Sequence, residues 1–119
     1  MSHSPQDVHK KILGKKGEAL VAKYIKKQGM KLLERNYHTP FGEADLIASD
    51  GDEIAFIEVK TRESVAFGSP AEAVIKTKQE RYYRIAQFYG MQTGEEPNAR
   101  FDVAEVYGNG EITYIKYAF

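Results

Sequence analysis

The stretch Gly42-Glu43-Ala44-Asp45-Leu46-Ile47-Ala48-Ser49-Asp50-Gly51-Asp52-Glu53-Ile54-Ala55-Phe56-Ile57-Glu58-Val59-Lys60-Thr61-Arg62 decides the fold. Two apolar runs, 43–49 and 53–61, flank an Asp50-Gly51 step, which is a strong hairpin signal. With Asp50-Gly51 as a two-residue turn, Ser49 faces Asp52 and Asp45 faces Phe56. Glu58 is then the diagonal neighbour of Asp45 on the same side of the sheet, roughly 5.5–8 Å away. A four-residue turn keeps that relation, whereas a three-residue turn sends the two acids to opposite faces. Lys60 follows Glu58 by two and emerges on the same face. Ile54 and Phe56 precede them there, so that face reads as core.

Around this hairpin the chain is short, with 119 residues and an apolar share of 42%. That fits one domain with a modest core. With no cysteine, disulfides, thiolate zinc sites and cysteine nucleophiles are excluded, and any metal must be held by oxygen or imidazole. The polar start lacks the apolar segment of a secretory signal, and no run is long enough to cross a bilayer. A cytoplasmic protein with no membrane partner is expected.

Net charge is zero, but its distribution is uneven. Residues 1–37 hold nine Lys or Arg against three acids, and residues 38–75 hold eight acids against Lys60 and Arg62. Such asymmetry suits an enzyme that grips phosphates with one surface and a cation with another. A lysine-rich solvated helix face would look the same.

Residues 1–12 read as a flexible N-terminal arm, and 13–119 as a single domain. From Leu13 to Gln28 the pattern is helical and stops near Gly29. Leu13, Leu20, Val21, Tyr24 and Ile25 share one arc, opposite Lys15, Lys16, Lys23, Lys26 and Lys27. Glu18 lies at the edge of the apolar arc and is expected to point towards the domain body. Lys31 to His38 reads as a strand before the hairpin, Glu63 to Ser69 as a loop and Pro70 to Gly90 as a helix. Strands over 100–107 and 111–117 close the chain around Gly108-Asn109-Gly110. The fold class is α/β in the order α-β-β-β-α-β-β, a mixed β-sheet flanked by helices.

Asp45 and Glu58 at this separation can share one Mg²⁺ or Mn²⁺, hard cations that prefer oxygen ligands. The Val59 carbonyl lies between the two side chains and can add a third protein ligand. Such an ion acidifies water and neutralises charge on a phosphate, while Lys60 can orient or deprotonate that water. Glu18 is placed to arrive as a third carboxylate. Charged residues alternating along a half-exposed strand are common, but three on an apolar face call for a partner.

The strand pair carrying Asp45 and Glu58-Val59-Lys60 resembles the PD-(D/E)XK nuclease superfamily. More closely, the chain resembles the small YraN-type bacterial proteins, distant relatives of archaeal Holliday-junction resolvases. The matching strings are Gly14-Lys15-Lys16-Gly17-Glu18-Ala19, Arg35-Asn36, Gly42-Glu43-Ala44-Asp45-Leu46-Ile47, Phe56-Ile57-Glu58-Val59-Lys60-Thr61-Arg62, Phe67-Gly68-Ser69-Pro70, Lys78-Gln79 and Arg100-Phe101-Asp102-Val103. The resemblance implies a restriction-endonuclease-like core with Glu18, Asp45, Glu58 and Lys60 at the positions of the nuclease pattern. Ala44 stands where that pattern has proline.

Gln79 and Tyr83 are spaced like the Gln-x-x-x-Tyr element of some of these nucleases and share a helix face. Gln79 is a candidate contact to water beside the metal, and Tyr83 reads better as packing. Lys15, Lys16, Arg62, Lys78 and Arg81 are candidates for nucleic-acid binding, as is the Phe67-Gly68 loop. The expected function is Mg²⁺- or Mn²⁺-dependent hydrolysis of phosphodiester bonds in DNA rather than RNA. So short a chain favours recognition of shape, or a homodimer. The alternative is a non-catalytic nucleic-acid-binding or adaptor protein that retains the fold.

Overall fold

A computed structural model of the chain describes residues 5–62 and 76–119. The elements run α1 (Pro5–Lys27), β1 (Lys31–Thr39), β2 (Gly42–Asp50), β3 (Glu53–Arg62), α2 (Lys76–Thr93), β4 (Ala99–Tyr107) and β5 (Ile112–Ile115). The element order is the expected one. The Phe67-Gly68 loop and the start of the second helix at Pro70 lie outside the described residues.

Helix α1 begins at Pro5, eight positions before Leu13, where the sequence pattern first reads as helical. Proline suits the first turn of a helix, where its missing N–H costs nothing. The polar residues after it form helix without the apolar stripe by which helices are recognised in sequence.

The five strands form one sheet in the order β1-β2-β3-β4-β5. The pairs β1–β2, β2–β3 and β4–β5 are antiparallel, and β3–β4 is parallel. Parallel neighbours need a crossover, and α2 lies in it. Val21, Ala22 and Ile25 of α1 pack on one sheet face against Leu46, Ala48, Ile57 and Ala104. Tyr82, Ile85 and Ala86 of α2 pack on the other against Ile47 and Phe56. The site face of β3, with Ile54, Phe56, Glu58 and Lys60, is therefore the α2 face.

The hairpin register differs from the expectation by one position on each strand. Asp50 pairs with Glu53, Ile47 with Phe56 and Leu46 with Ile57, so the turn residues are Gly51-Asp52. Gly51 has φ 62°, and a glycine in that region at the first turn position is the favoured two-residue arrangement. Asp50 stays in the strand because Arg100 holds it. The parity of the pairing is unchanged, but continuing the ladder puts Asp45 directly opposite Glu58.

Arg100 Nη1 donates to Asp50 Oδ2 at 2.8 Å and to Glu53 Oε1 at 3.2 Å. It thus clamps the two residues that flank the turn. Its Nε and Nη2 donate to Asp102, which also accepts from the Tyr114 hydroxyl at 2.5 Å and the Tyr117 N–H at 3.1 Å. Arg100 is 2% exposed and Asp102 fully buried. Breaking a buried pair strands a charge at a cost of about 3–5 kcal/mol. Arg100→Met is therefore expected to lower the unfolding free energy in urea by that order. Glu43→Gln, at the exposed His38–Glu43 pair, should change it by less than about 1 kcal/mol. Equal effects of the two substitutions would contradict the clamp.

Candidate metal and phosphodiester site

The regular β2–β3 ladder ends at Leu46–Ile57. Continued, it would place Ala44 opposite Val59. The Val59 N–H instead donates to Asp45 Oδ2 at 2.8 Å, so a side chain takes the place of a strand carbonyl. The period-two alternation slips at the same point: Ala44 packs with the α2 cluster although its parity is that of Leu46 on the α1 side. The strands therefore part at Asp45. In an extended strand N–H and C=O point to the same neighbour, so the Val59 carbonyl also faces β2.

The Asp45 carboxyl meets that of Glu58. Burial, and then the Glu58 charge, push the Asp45 carboxyl up to about 7, against the opposing pull of the Val59 N–H. Near neutrality a protonated Asp45 donates to Glu58. With Glu58 buried and Asp45 half-buried, two ionised carboxylates here are costly without a counter-ion.

Helix α2 supplies part of the compensation. Glu58 is 6% exposed. Lys78 forms an ion pair with its Oε1, and the Tyr82 hydroxyl donates to its Oε2 at 2.6 Å. Burial and these carboxylates hold the Tyr82 phenol well above its usual range. Lys60 is half-buried beside them; burial and then Lys78 push its ammonium down, with Glu58 opposing. Next to Lys60 on the parallel strand stands Glu105, which accepts from Arg62 Nε at 2.6 Å.

Glu18 reaches the site from the other helix. Gly17 packs so tightly on β3 that a Cβ there would lie 2.5 Å from Thr61 Cγ2. That approach sets Glu18 beside β1, where it is hydrogen-bonded to Asn36 and its pKa is raised by burial, with Glu43 adding. Asn36 has φ 51°, a left-handed conformation that asparagine tolerates better than most residues. Its flanking residues pair with Leu46 and Ala44, so Asn36 stands opposite Asp45. Asn36, Asp45 and Glu58 form one polar row across three strands. Glu18 raises the Asp45 pKa through space, but among the described residues no three His, Asp or Glu side chains converge as a ligand group.

The other candidates are distributed around this row. Lys15 and Lys16 are exposed on α1, and Arg81 is exposed on α2. Lys78 is engaged with Glu58 and Arg62 with Glu105. Gln79 is half-buried on α2 between Lys78 and Glu80. Tyr83 packs edge-on to Phe101 with ring centroids 4.9 Å apart, away from the acids, and its neighbour Tyr82 makes the contact to Glu58.

The missed contacts had a signal: Lys78, Tyr82 and Ile85 recur at helical spacing on one stripe, and Glu105 alternates with Phe101 and Val103. Asn36 stands in the Arg35-Asn36 string of the resemblance, which gives it no role.

This sheet, with paired acids where its strands part, has the restriction-endonuclease-like fold. Hjc of Archaeoglobus fulgidus, a Holliday junction resolvase, is similar with a TM-score of 0.55 at 20% identity, over 83% of this chain and 72% of that one. Residues 17–106 match the uncharacterised protein family UPF0102, and the chain belongs to that family. A UPF0102 protein of Alkaliphilus metalliredigens is 47% identical over 112 residues, covering 92% of this chain and 98% of the relative. One from Caldicellulosiruptor saccharolyticus is 42% identical over 119 residues, covering 94% of this chain and all of the relative. No helix among the described residues is long and apolar enough to cross a membrane.

The Asp45–Glu58 encounter has a pH signature. Between the ordinary 3.8 and about 7, folded Asp45 binds a proton that the unfolded chain releases. Its contribution to stability is therefore lost as pH rises through that window. Asp45→Asn should remove this fall and be the more stable protein at pH 8 by a few kcal/mol, read by urea unfolding in chelator at stepped pH. Parallel pH profiles for the two proteins would contradict the assignment.

Proposed function

We propose that this chain is a divalent-metal-dependent endonuclease that hydrolyses phosphodiester bonds in DNA of unusual, branched structure. The observation that carries the reading is the Asp45–Glu58 pair where the ladder opens, Glu58 buried and Asp45 half-buried, two acids on one face with Lys60 beside them. The pair fits Mg²⁺ or Mn²⁺: its oxygens are the donor type such ions prefer, its repulsion is what a cation relieves, and the Val59 carbonyl faces the same gap. When bound, the ion would supply charge neutralisation at the scissile phosphate.

The chain's own groups do the rest. Tyr82 fixes the Glu58 rotamer and the Val59 N–H fixes that of Asp45. Lys60 offers a positive charge to the phosphate and, with its pKa pushed down by burial, a site for proton transfer. Asn36 holds Glu18 at the edge of the row, adding negative charge that favours cation capture. Lys15, Lys16 and Arg81 lie outside the carboxylates, where they would neutralise flanking phosphates and make affinity fall with salt. The branched substrate rests on the likeness to a Holliday junction resolvase.

The Lys78–Glu58 ion pair favours a second reading, in which an ammonium replaces the metal and the chain binds nucleic acid without cutting it. The two readings part on metal binding. Calorimetric titration of Mn²⁺ should give binding to the wild type that Glu58→Gln loses. Lys60→Ala should retain Mn²⁺ affinity while cleaving a four-way junction about 10²–10⁴-fold more slowly. A wild type that binds DNA but takes up no Mn²⁺ at millimolar concentration would leave the non-catalytic reading standing.

A further inference from the structure

The turn between β1 and β2 presents Phe41 to solvent at 44% exposure. It is a built feature. The Thr39 hydroxyl donates to the Gly42 carbonyl at 2.8 Å and accepts from the Phe41 N–H at 3.0 Å, closing the tip. Gly42 has φ 136°, and a Cβ there would lie 2.6 Å from Arg81 Cδ. A glycine is thus needed both for the turn and for Arg81 to cross it. From the next turn of α2, the Arg84 guanidinium lies 5.8 Å from the Phe41 ring centroid. Phe41, Thr77, Glu80, Arg81 and Arg84 line a cavity of about 210 Å³. That is below the roughly 300 Å³ at which small-molecule sites begin, and it suits one planar ring.

Phe41 adds nothing to either core cluster, and beside Arg84 its ring keeps a surface exposed to solvent. Two arginines beside an aromatic face are the components of a single-strand stacking platform: cations for the backbone and a π-face for a base. Glu80 disfavours a bare phosphate inside the cavity, but can accept from the exocyclic amine of a base. Phe41 directly precedes β2, the strand that carries Asp45, and lies four residues from that acid, or about 13 Å at the usual strand rise. Arg81 is adjacent in sequence to Tyr82, which holds Glu58.

We infer that Phe41, with Arg81 and Arg84, is a stacking site for one unpaired base of a nucleic-acid strand whose backbone passes Asp45 and Glu58. The inference rests on the proposed nucleic-acid substrate and deepens it, because it assigns a preference for unpaired over fully paired DNA.

The sequence contains no tryptophan, so Phe41→Trp introduces a single reporter at the platform. In chelator, where no metal-dependent cleavage occurs, a single-stranded oligothymidylate should quench and shift its emission; a blunt duplex of equal phosphate number should not. Phe41→Ala should weaken binding of the single strand roughly ten- to hundredfold and leave duplex binding unchanged. The salt dependence should keep its slope, since a phenyl ring neutralises no phosphate. If the wild type binds the single strand while Phe41→Trp emission stays silent and Phe41→Ala binds equally well, the stacking site is overturned and the nuclease reading is untouched. If the wild type binds neither of these probes nor a four-way junction, both are overturned.

Discussion

The pairing register of β2 with β3 is the constraint on which the rest of the molecule depends. Side chains alternate across a sheet, so a slip of one residue would send Asp45 to one face and Glu58 to the other, and bury the wrong set of apolar residues. Two devices at the turn prevent the slip. Gly51 adopts the positive φ that a two-residue turn requires, and Arg100 binds the carboxylates on both sides of it. The guanidinium comes from β4, so the strand that completes the sheet also locks the hairpin beside it. Arg100 is itself anchored by Asp102, Tyr114 and Tyr117 sit on Asp102 in turn, and the clamp therefore ties the distal end of the sheet together as a unit.

At the proximal end the logic is reversed. There the ladder is allowed to open, and the energy of an unfavourable carboxylate pair is stored where the strands part. Each acid is held from a different direction: Asp45 by a backbone N–H of β3, Glu58 by Lys78 and Tyr82 of α2, Glu18 by Asn36 of β1. The groups that fix the carboxylates therefore come from one helix, α2, and from two strands, β1 and β3. Pre-organisation of this kind is what a site needs if its charged groups are to stay in place without a bound ligand.

Much of this was legible in the residues. The two runs around Asp50-Gly51 showed the hairpin, and odd–even alternation put Asp45, Glu58 and Lys60 on one face even though the turn sits one position later than the Asp-Gly step suggested. The difference arose because Asp50 is held as a strand residue by an arginine fifty positions away, and no local pattern carries a contact of that range. The start of helix α1 at Pro5 carries little apolar periodicity, so the sequence pattern marks the helix only from Leu13. Spacing to Gln79 points to Tyr83, whereas the apolar stripe through Ile85 points to Tyr82, the residue that holds Glu58. Asn36 belongs to a string shared with the resembling family, but its left-handed conformation and its hold on Glu18 depend on separate elements meeting, which no local pattern carries.

The parallel pairing of β3 with β4 also has a kinetic consequence. The strands β1, β2 and β3 can zip up through short antiparallel turns, but β4 can join only after α2 and the segment before it have been spanned. Pairings between distant parts of a chain are slow to form, because the entropy of closing the loop is lost before the contacts are made. The acid-bearing meander therefore forms ahead of the strand that supplies Arg100, and for that interval its register rests on Gly51 and apolar matching alone. Refolding should show this ordering, with proton exchange at β2 and β3 amides protected in an earlier phase than exchange at β4.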